Sequence, residues 1–104
     1  MVVIFNLNGK QFMGLNGGPH FTFTEAVSFV IDCETQDEID YYWNKLSEGG
    51  QESQCGWLKD KFGLSWQVVP TILGSLMSDP EKGPRVVQAF MKMKKFDIEA
   101  LKNA

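Results

Sequence analysis

Two short, largely apolar runs lie at the start of the chain. The runs span Val2–Leu7 and Lys10–Leu15, and the dipeptide Asn8-Gly9 separates them. Asn-Gly between two apolar runs favours a type I′ turn, in which both central residues take positive φ. The pattern therefore predicts an antiparallel β-hairpin at the N-terminus.

A second pair of elements follows a break at Asn16-Gly-Gly-Pro19. The alternation over Val27–Cys33 predicts a strand. Thr35 and Glu38 then have the spacing of a capping box, which predicts a helix over Gln36–Ser47. The helix has an apolar face at the usual spacing, formed by Ile39, Tyr42, Trp43 and Leu46.

The rest of the chain predicts short strands and then helices. Three strands are predicted at 51–55, 58–62 and 65–69, and Pro70 ends the last of them. Helical segments are predicted at 71–77, 85–93 and 98–102, with Ser78-Asp-Pro80 as a start signal and Asp97 as a cap. From Val27 onward the order of elements is therefore βαβββ followed by helices, which is an α+β pattern.

Composition and charge narrow the range of function classes. The chain has 104 residues, a hydrophobic fraction of 43% and a net charge of −3. These values predict one packed domain and argue against nucleic acid as a partner, because phosphate binding needs clustered basic residues. No apolar run is long enough to span a membrane, and no secretory signal is recognisable.

The two cysteines, Cys33 and Cys55, lie far apart in the sequence and form no metal-ligand spacing. They predict reduced thiols and a cytoplasmic location. Cys33 closes an apolar strand, so we expect it to be buried and inert, whereas Cys55 precedes a glycine and should be more exposed.

Several short sequence motifs resemble those of one protein family. The segment Cys55–Pro70, with its turn Asp60-Lys-Phe-Gly63, is similar to the closing hairpin of the PhnB-like (3-demethylubiquinone-9 3-methyltransferase-like) branch of the vicinal oxygen chelate superfamily. This superfamily includes the glyoxalase, bleomycin-resistance and dioxygenase proteins. Further motifs that resemble this family lie at residues 8–20, 43–50 and 91–98. The resemblance therefore covers nearly the whole chain.

The resemblance implies a fold and an assembly. The expected fold is a glyoxalase-like βαβββ cupped sheet, preceded by a β-hairpin and followed by C-terminal helices. Residues 1–104 would form a single domain that lacks the first strand, helix and strand of the family's N-terminal unit. Because an uncovered sheet edge is a liability, we expect a homodimer in which a second copy covers the hairpin.

The resemblance also bears on metal chemistry. Superfamily enzymes hold a divalent ion with His and Glu side chains inside the cup. The matching positions here are Ala26 or Ser28 for the His and Gln67 for the Glu, and none of these is a good metal ligand. We therefore expect no metal and no cofactor, and a cup that binds an unidentified small molecule. The alternative is a metal-dependent lyase, isomerase or dioxygenase whose other ligands lie upstream or on a partner chain.

Four residues are candidates for ligand binding. His20 is the only histidine and lies in a Gly-Pro connector that could aim it at a pocket, although a loop histidine bound to backbone is the commoner case. Trp57 and Trp66 could stack on a flat ligand or belong to the core. Gln67 could supply a donor and an acceptor inside the cup. No glycine-rich strand-to-helix loop suited to S-adenosylmethionine is present, and whether the protein is an enzyme stays open.

Overall fold

The computed structural model describes residues 1–104, which form six strands and four helices. The strands are β1 (Val2–Leu7), β2 (Lys10–Leu15), β3 (Ser28–Cys33), β4 (Gln51–Glu52), β5 (Trp57–Lys59) and β6 (Ser65–Pro70); the helices are α1 (Gln36–Ser47), α2 (Leu73–Met77), α3 (Gly83–Phe90) and α4 (Ile98–Lys102). The predicted βαβββ order and the α+β class are confirmed. None of the helices is long and apolar enough to cross a membrane.

The N-terminal hairpin forms as predicted. Asn8 and Gly9 both have positive φ, at 51° and 81°, and β1 pairs with β2 from Val2 opposite Leu15 to Leu7 opposite Lys10. The hairpin is a two-stranded sheet of its own. It extends from the body of the protein, since the radius of gyration is 15.8 Å, whereas a compact chain of this length has about 13 Å.

The second sheet has four strands in the order β3-β6-β5-β4. β3 and β6 are parallel, and β6–β5 and β5–β4 are antiparallel. The turn between β5 and β6 is closed by Asp60, whose Oδ1 accepts hydrogen bonds from the backbone N–H groups of Phe62 and Leu64. This is the Asp60–Gly63 turn that the sequence indicated.

Helix α1 begins where the capping box placed it. Thr35 Oγ1 accepts a hydrogen bond from the Glu38 backbone N–H over 3.1 Å. The Glu38 carboxylate reaches back one residue further than a standard capping box and accepts from the backbone N–H of Glu34. The observed bounds, Gln36–Ser47, are those predicted.

Most of the buried core lies on one face of the four-stranded sheet. Alternation along β6 sends Val68 to this face, together with its neighbours Leu58 on β5 and Cys33 on β3. Helix α1 and the C-terminal helices cover it. The fully assembled core consists of Cys33, Ile39, Trp43, Leu58, Val68, Val86, Phe96, Ile98 and Leu101. The other face carries the side chains of Ser65, Gln67 and Val69 from β6, and we call it the open face.

Two predicted strands are shorter than expected. The sequence predicted strands over 51–55 and 58–62, but β4 ends at Glu52 and β5 covers only Trp57–Lys59. β4 is shorter because a turn follows at Cys55 and Gly56, both of which have positive φ. Their backbone N–H groups donate to the carbonyls of Met93 and Lys94 over 2.8 Å, so the distant tail ends β4. β5 ends at Lys59 because the turn held by Asp60 follows directly.

Smaller differences concern element ends. β3 begins at Ser28 rather than Val27, and β6 includes Pro70. Helix α2 begins at Leu73 rather than residue 71, and α3 spans Gly83–Phe90 rather than 85–93. The Asp79 carboxylate accepts from the N–H groups of residues 81 and 82, which forms a turn before α3 instead of starting the helix there. Helix α4 has its predicted bounds.

Candidate functional site: the open face of the four-stranded sheet

Strand register gathers five side chains on the open face. Trp57 lies opposite Gln67, and Lys59 lies opposite Ser65, in the antiparallel β5–β6 pair. On the other side of β6, the parallel β3 places Ser28 beside Ser65. Cross-strand partners point to the same face of a sheet, so these polar and aromatic side chains share the open face.

The Gln67 and Ser28 side chains are hydrogen-bonded to each other. Gln67 Nε2 donates to Ser28 Oγ over 2.9 Å, which orients the amide and leaves its carbonyl oxygen available. The family resemblance matched Ala26 or Ser28 to the metal-binding His and Gln67 to the metal-binding Glu. The structure thus brings those positions together as neighbours.

This pair does not fit a divalent metal. A hydroxyl and a primary amide carry no charge, and divalent ions in such sites prefer carboxylate and imidazole ligands. The structure also contains no group of three or more His, Cys, Asp or Glu side chains that could hold a metal ion. The open face can provide hydrogen bonds, apolar contact and the charge of the Lys59 ammonium.

A cavity of about 490 Å³ adjoins this surface. Its lining includes Trp57, Lys59 and Ser65 from the sheet and Glu25 from the connector before β3. Glu25 Oε1 and Lys59 Nζ form an ion pair of 2.6 Å, which joins the connector to β5. The Lys59 ammonium, through this hydrogen bond and its charge, lowers the pKa of the Glu25 carboxyl below its usual value.

Ser65 occupies an unusual position in this cavity. The residue is fully buried, and its Oγ has no hydrogen-bond partner. Buried polar groups in native proteins are nearly always paired, so an unpaired one requires an explanation. It is the only such side-chain atom in the chain.

The structure brings two of the four predicted binding residues together and separates the other two. Trp57 and Gln67 are cross-strand partners on the open face. Trp66 points to the opposite face, where its Nε1 donates to Asp60 Oδ2 over 2.9 Å and its ring contacts Phe29. It lines a different cavity of about 830 Å³ next to the hairpin.

His20 lies exposed in the turn between the hairpin and β3. It lines neither the 490 Å³ cavity nor the 830 Å³ cavity. Within one chain, therefore, Trp66 and His20 do not share a pocket with Trp57 and Gln67.

Sequence reasoning did not select Ser65, Lys59 or Glu25. A signal for Ser65 did exist, because it stands two residues before Gln67 on the same strand and must share its face. Glu25 gave no signal, since its position depends on how the connector runs back over β5.

The comparisons with known proteins agree with this fold. The sequence model of the 3-demethylubiquinone-9 3-methyltransferase family matches residues 1–69. A solved PhnB protein from Bacillus cereus, provisionally named a 3-demethylubiquinone-9 3-methyltransferase, is 36% identical with a TM-score of 0.63. The alignment covers 68% of this chain and 64% of that protein. The chain therefore belongs to the 3-demethylubiquinone-9 3-methyltransferase family, the PhnB-like proteins.

A more distant structure shares the fold alone. Protein PA1353 from Pseudomonas aeruginosa is 19% identical with a TM-score of 0.55, over 67% of this chain and 62% of its own length. The chain thus spans less than two thirds of the length of both solved structures. No functionally curated protein matches it.

Proposed function

We propose that this protein is a member of the vicinal oxygen chelate superfamily and that it binds a small organic molecule on the open face without a metal. The observation that carries the proposal is the Gln67–Ser28 hydrogen bond beside Trp57. A fixed amide next to an indole gives a ligand one oriented polar contact and one flat apolar contact. Ligand sites generally have this combination of a few placed polar groups and aromatic walls.

The adjoining cavity supports this reading in size and position. Its volume of about 490 Å³ lies within the range of small-molecule sites. Gln67 and Ser28 do not line the cavity themselves, but Trp57 belongs both to the cavity lining and to the cross-strand pair with Gln67, so it links the cavity to that pair. The sheet backbone holds both residues, which makes the site rigid before the ligand arrives.

We assign to this chain neither the methyltransferase activity in the family name nor the metal-dependent chemistry of the superfamily. The open face offers a hydroxyl and an amide where the superfamily enzymes place metal ligands, so no observation favours metal-dependent catalysis. No glycine-rich strand-to-helix loop is present that would suit S-adenosylmethionine. The proposed activity is therefore binding, with no group transfer assigned.

We also propose that the protein forms a homodimer through the N-terminal hairpin. One face of the hairpin carries four apolar side chains that are more than half exposed: Val2, Ile4, Met13 and Leu15. An isolated two-stranded sheet is only marginally stable in water, so it needs a covering surface. A second copy of this chain presents an identical apolar face, which can pair with the first by two-fold symmetry.

Binding can be tested by NMR with a library of flat organic fragments. We expect a subset of fragments to shift the Trp57 indole and Gln67 amide resonances together. Gln67→Leu should weaken those fragments by about 5- to 100-fold, because the ligand loses a polar partner. Gln88→Leu, an exposed position on α3, is the matched control and should leave affinity unchanged. Shifts that appear only at other residues would contradict the proposal.

Light scattering coupled to size-exclusion chromatography tests the dimer. The wild-type chain should have twice the monomer mass at micromolar concentration, and a stable interface would bury roughly 1,200–2,000 Å². Ile4→Lys places a charge in the apolar face and should give monomers, whereas Tyr41→Lys on exposed α1 should not. A folded wild-type monomer at that concentration would rule the assembly out.

A further inference from the structure

The outer edge of β3 is unpaired. β3 is the first strand of the four-stranded sheet and pairs with β6 alone. The one further backbone hydrogen bond to β3 comes from the Thr71 N–H to the Cys33 carbonyl, at the end of the strand. An edge of this kind presents a row of free N–H and C=O groups to which another extended segment can bind.

The cavity of about 830 Å³ runs along this edge. Four consecutive residues of β3, 29–32, line it. Neighbouring residues of a strand point to opposite faces of a sheet, so all four can line one cavity only where the cavity follows the edge itself. The other walls include Phe12 from the hairpin and Tyr42 and Leu46 from α1, and most of the lining is apolar. We call this cavity the edge slot.

The connector between the hairpin and β3 has the properties of a strand that lacks a partner. Residues 18–27 make no backbone–backbone hydrogen bond. Phe21 and Phe23 are 93% and 60% exposed. In an extended segment these two rings point to one side, and Thr22 and Thr24 point to the other. Aromatic and β-branched residues in this alternation favour pairing as a strand.

The connector does not occupy the edge slot of its own chain. Glu25 contacts Lys59 on β5, so the end of the connector lies toward β5. In the order β3-β6-β5-β4, β5 is on the far side of β6 from the outer edge of β3. Accordingly, neither Phe21 nor Phe23 lines the slot. The segment that fills the slot must come from another molecule.

We propose that the connector of a second copy of this chain adds to the outer edge of β3 as a fifth strand, and that each copy receives the connector of the other. The partner's Phe21 and Phe23 enter the edge slot beside Phe29 and Tyr42. This inference rests on the proposed homodimer and adds the segment that the two copies exchange.

Reach and area are compatible with this exchange. Packed sheets lie about 10 Å apart, whereas the chain from Leu15 to Phe21 spans up to about 20 Å. The connector of a copy that packs on the apolar hairpin face can therefore pass the hairpin and enter the slot. With the two rings and an equal area of slot wall buried in each copy, the exchange buries about 1,200 Å² in total, which is the lower end of stable interfaces.

Cross-linking between two single-cysteine variants tests the contact. Both are made in a Cys55→Ala chain, which retains only the buried Cys33 of the native thiols. Val30 lies on the open face, where the partner's threonines would also point. Val30→Cys is mixed with size-tagged Thr22→Cys or Thr24→Cys and a short bis-maleimide. We expect at least one of these pairs to form a hetero-link, and Tyr41→Cys, exposed on α1 outside the slot, to form none.

Removing the two rings supplies the second arm. Phe21 and Phe23 are exposed in the single chain, so the double variant Phe21→Ser, Phe23→Ser should keep the melting temperature of the monomer. We expect its dimer to dissociate at least about tenfold more readily in analytical ultracentrifugation, because two apolar contacts per copy are lost. Phe62→Ser, which removes an exposed ring outside the slot, should leave dimerisation unchanged.

Three outcomes would overturn the exchange. Links from Val30→Cys to Val3→Cys alone would show that the partner's hairpin edge fills the slot. Unchanged dimerisation of the double phenylalanine variant would show that the rings are not buried. If the wild type dimerises but neither threonine position cross-links, the exchange falls and the hairpin dimer stands; if the wild type is monomeric, both fall.

Discussion

The Gln36 side-chain oxygen accepts a hydrogen bond from the backbone N–H of Ile98 over 2.8 Å. The amide nitrogen of the same side chain donates to the Phe96 carbonyl over 2.9 Å. One side chain at the start of α1 therefore forms hydrogen bonds with both a backbone donor and a backbone acceptor of the C-terminal segment. Phe96 and Ile98 are both core residues, so this contact fixes the segment that completes the core.

Replacing Gln36 should loosen the C-terminal segment. We expect Gln36→Leu to lower the free energy of unfolding by about 1–3 kcal/mol, because two backbone groups lose their partners. Gln36→Glu keeps the acceptor for Ile98 and should have a smaller effect. Urea unfolding measures both. Gln88→Leu makes the same change at an exposed position, and an equal loss there would contradict the assigned role.

Gly56 should tolerate no side chain. Its φ is +82°, and a Cβ would lie 2.3 Å from a Phe96 ring carbon and 2.9 Å from the Val68 carbonyl oxygen. We expect Gly56→Ala to lower the free energy of unfolding by about 3 kcal/mol or more, through strain and displacement of Phe96.

Gly74 provides the matched control for this substitution. It lies in α2 with open space where a Cβ would be, so Gly74→Ala should be neutral or stabilise by about 0.5–1 kcal/mol. Thermal unfolding compares the two alanine variants. Equal melting temperatures would show that the approach of Phe96 does not matter.

The buried Cys33 thiol should make the stability of the protein depend on pH. Burial, with smaller contributions from the Glu38 and Asp32 carboxylates, raises the pKa of the Cys33 thiol from 9.0 to about 11. The raised value means that Cys33 stabilises the fold below pH 9 and that this contribution disappears between pH 9 and about 11. Free energies of unfolding across that range should fall more steeply for the wild type than for Cys33→Ala. Parallel curves would contradict the assignment.

The Asp60 carboxylate should stabilise both the turn and Trp66. It accepts from the backbone N–H groups of Phe62 and Leu64 and from Trp66 Nε1. Asp60→Ala should lower the free energy of unfolding by about 2–3 kcal/mol, since several partners lose a charged acceptor. The indole N–H resonance of Trp66 should shift in the same variant. An unchanged resonance would contradict the hydrogen bond from Trp66 Nε1 to Asp60.

The parts of the fold that rest on local chemistry were predictable from the sequence. The Asn8-Gly9 turn needs only two residues that tolerate positive φ, and both have it. Likewise, α1 begins and ends where Thr35 and the following residues indicate. These signals lie within a few residues of the structure that they specify.

The early end of β4 was not predictable, because distant residues determine it. The backbone around Cys55 pairs with Met93 and Lys94 instead of continuing a strand. No pattern within residues 51–62 reports a contact with residue 93. Tertiary hydrogen bonding of this kind overrides local strand propensity.

The candidate site was likewise predictable only where local strand patterns specify it. Alternation places Gln67 on one face and Trp66 on the other, and register adds Trp57 beside Gln67. The unpaired state of the Ser65 hydroxyl could not be anticipated, since it depends on everything packed around β6. The Glu25–Lys59 ion pair depends on the path of a connector that has no regular structure.

The strand order has a consequence for how the protein is made. β6 is the last of the four strands to be synthesised, yet it is the only partner of β3 and joins β3 to β5. At about 5–20 residues per second, a ribosome needs roughly a few seconds to proceed from Cys33 to Pro70. β3 therefore leaves the ribosome some seconds ahead of its only partner strand, and both of its edges stay unpaired until β6 follows.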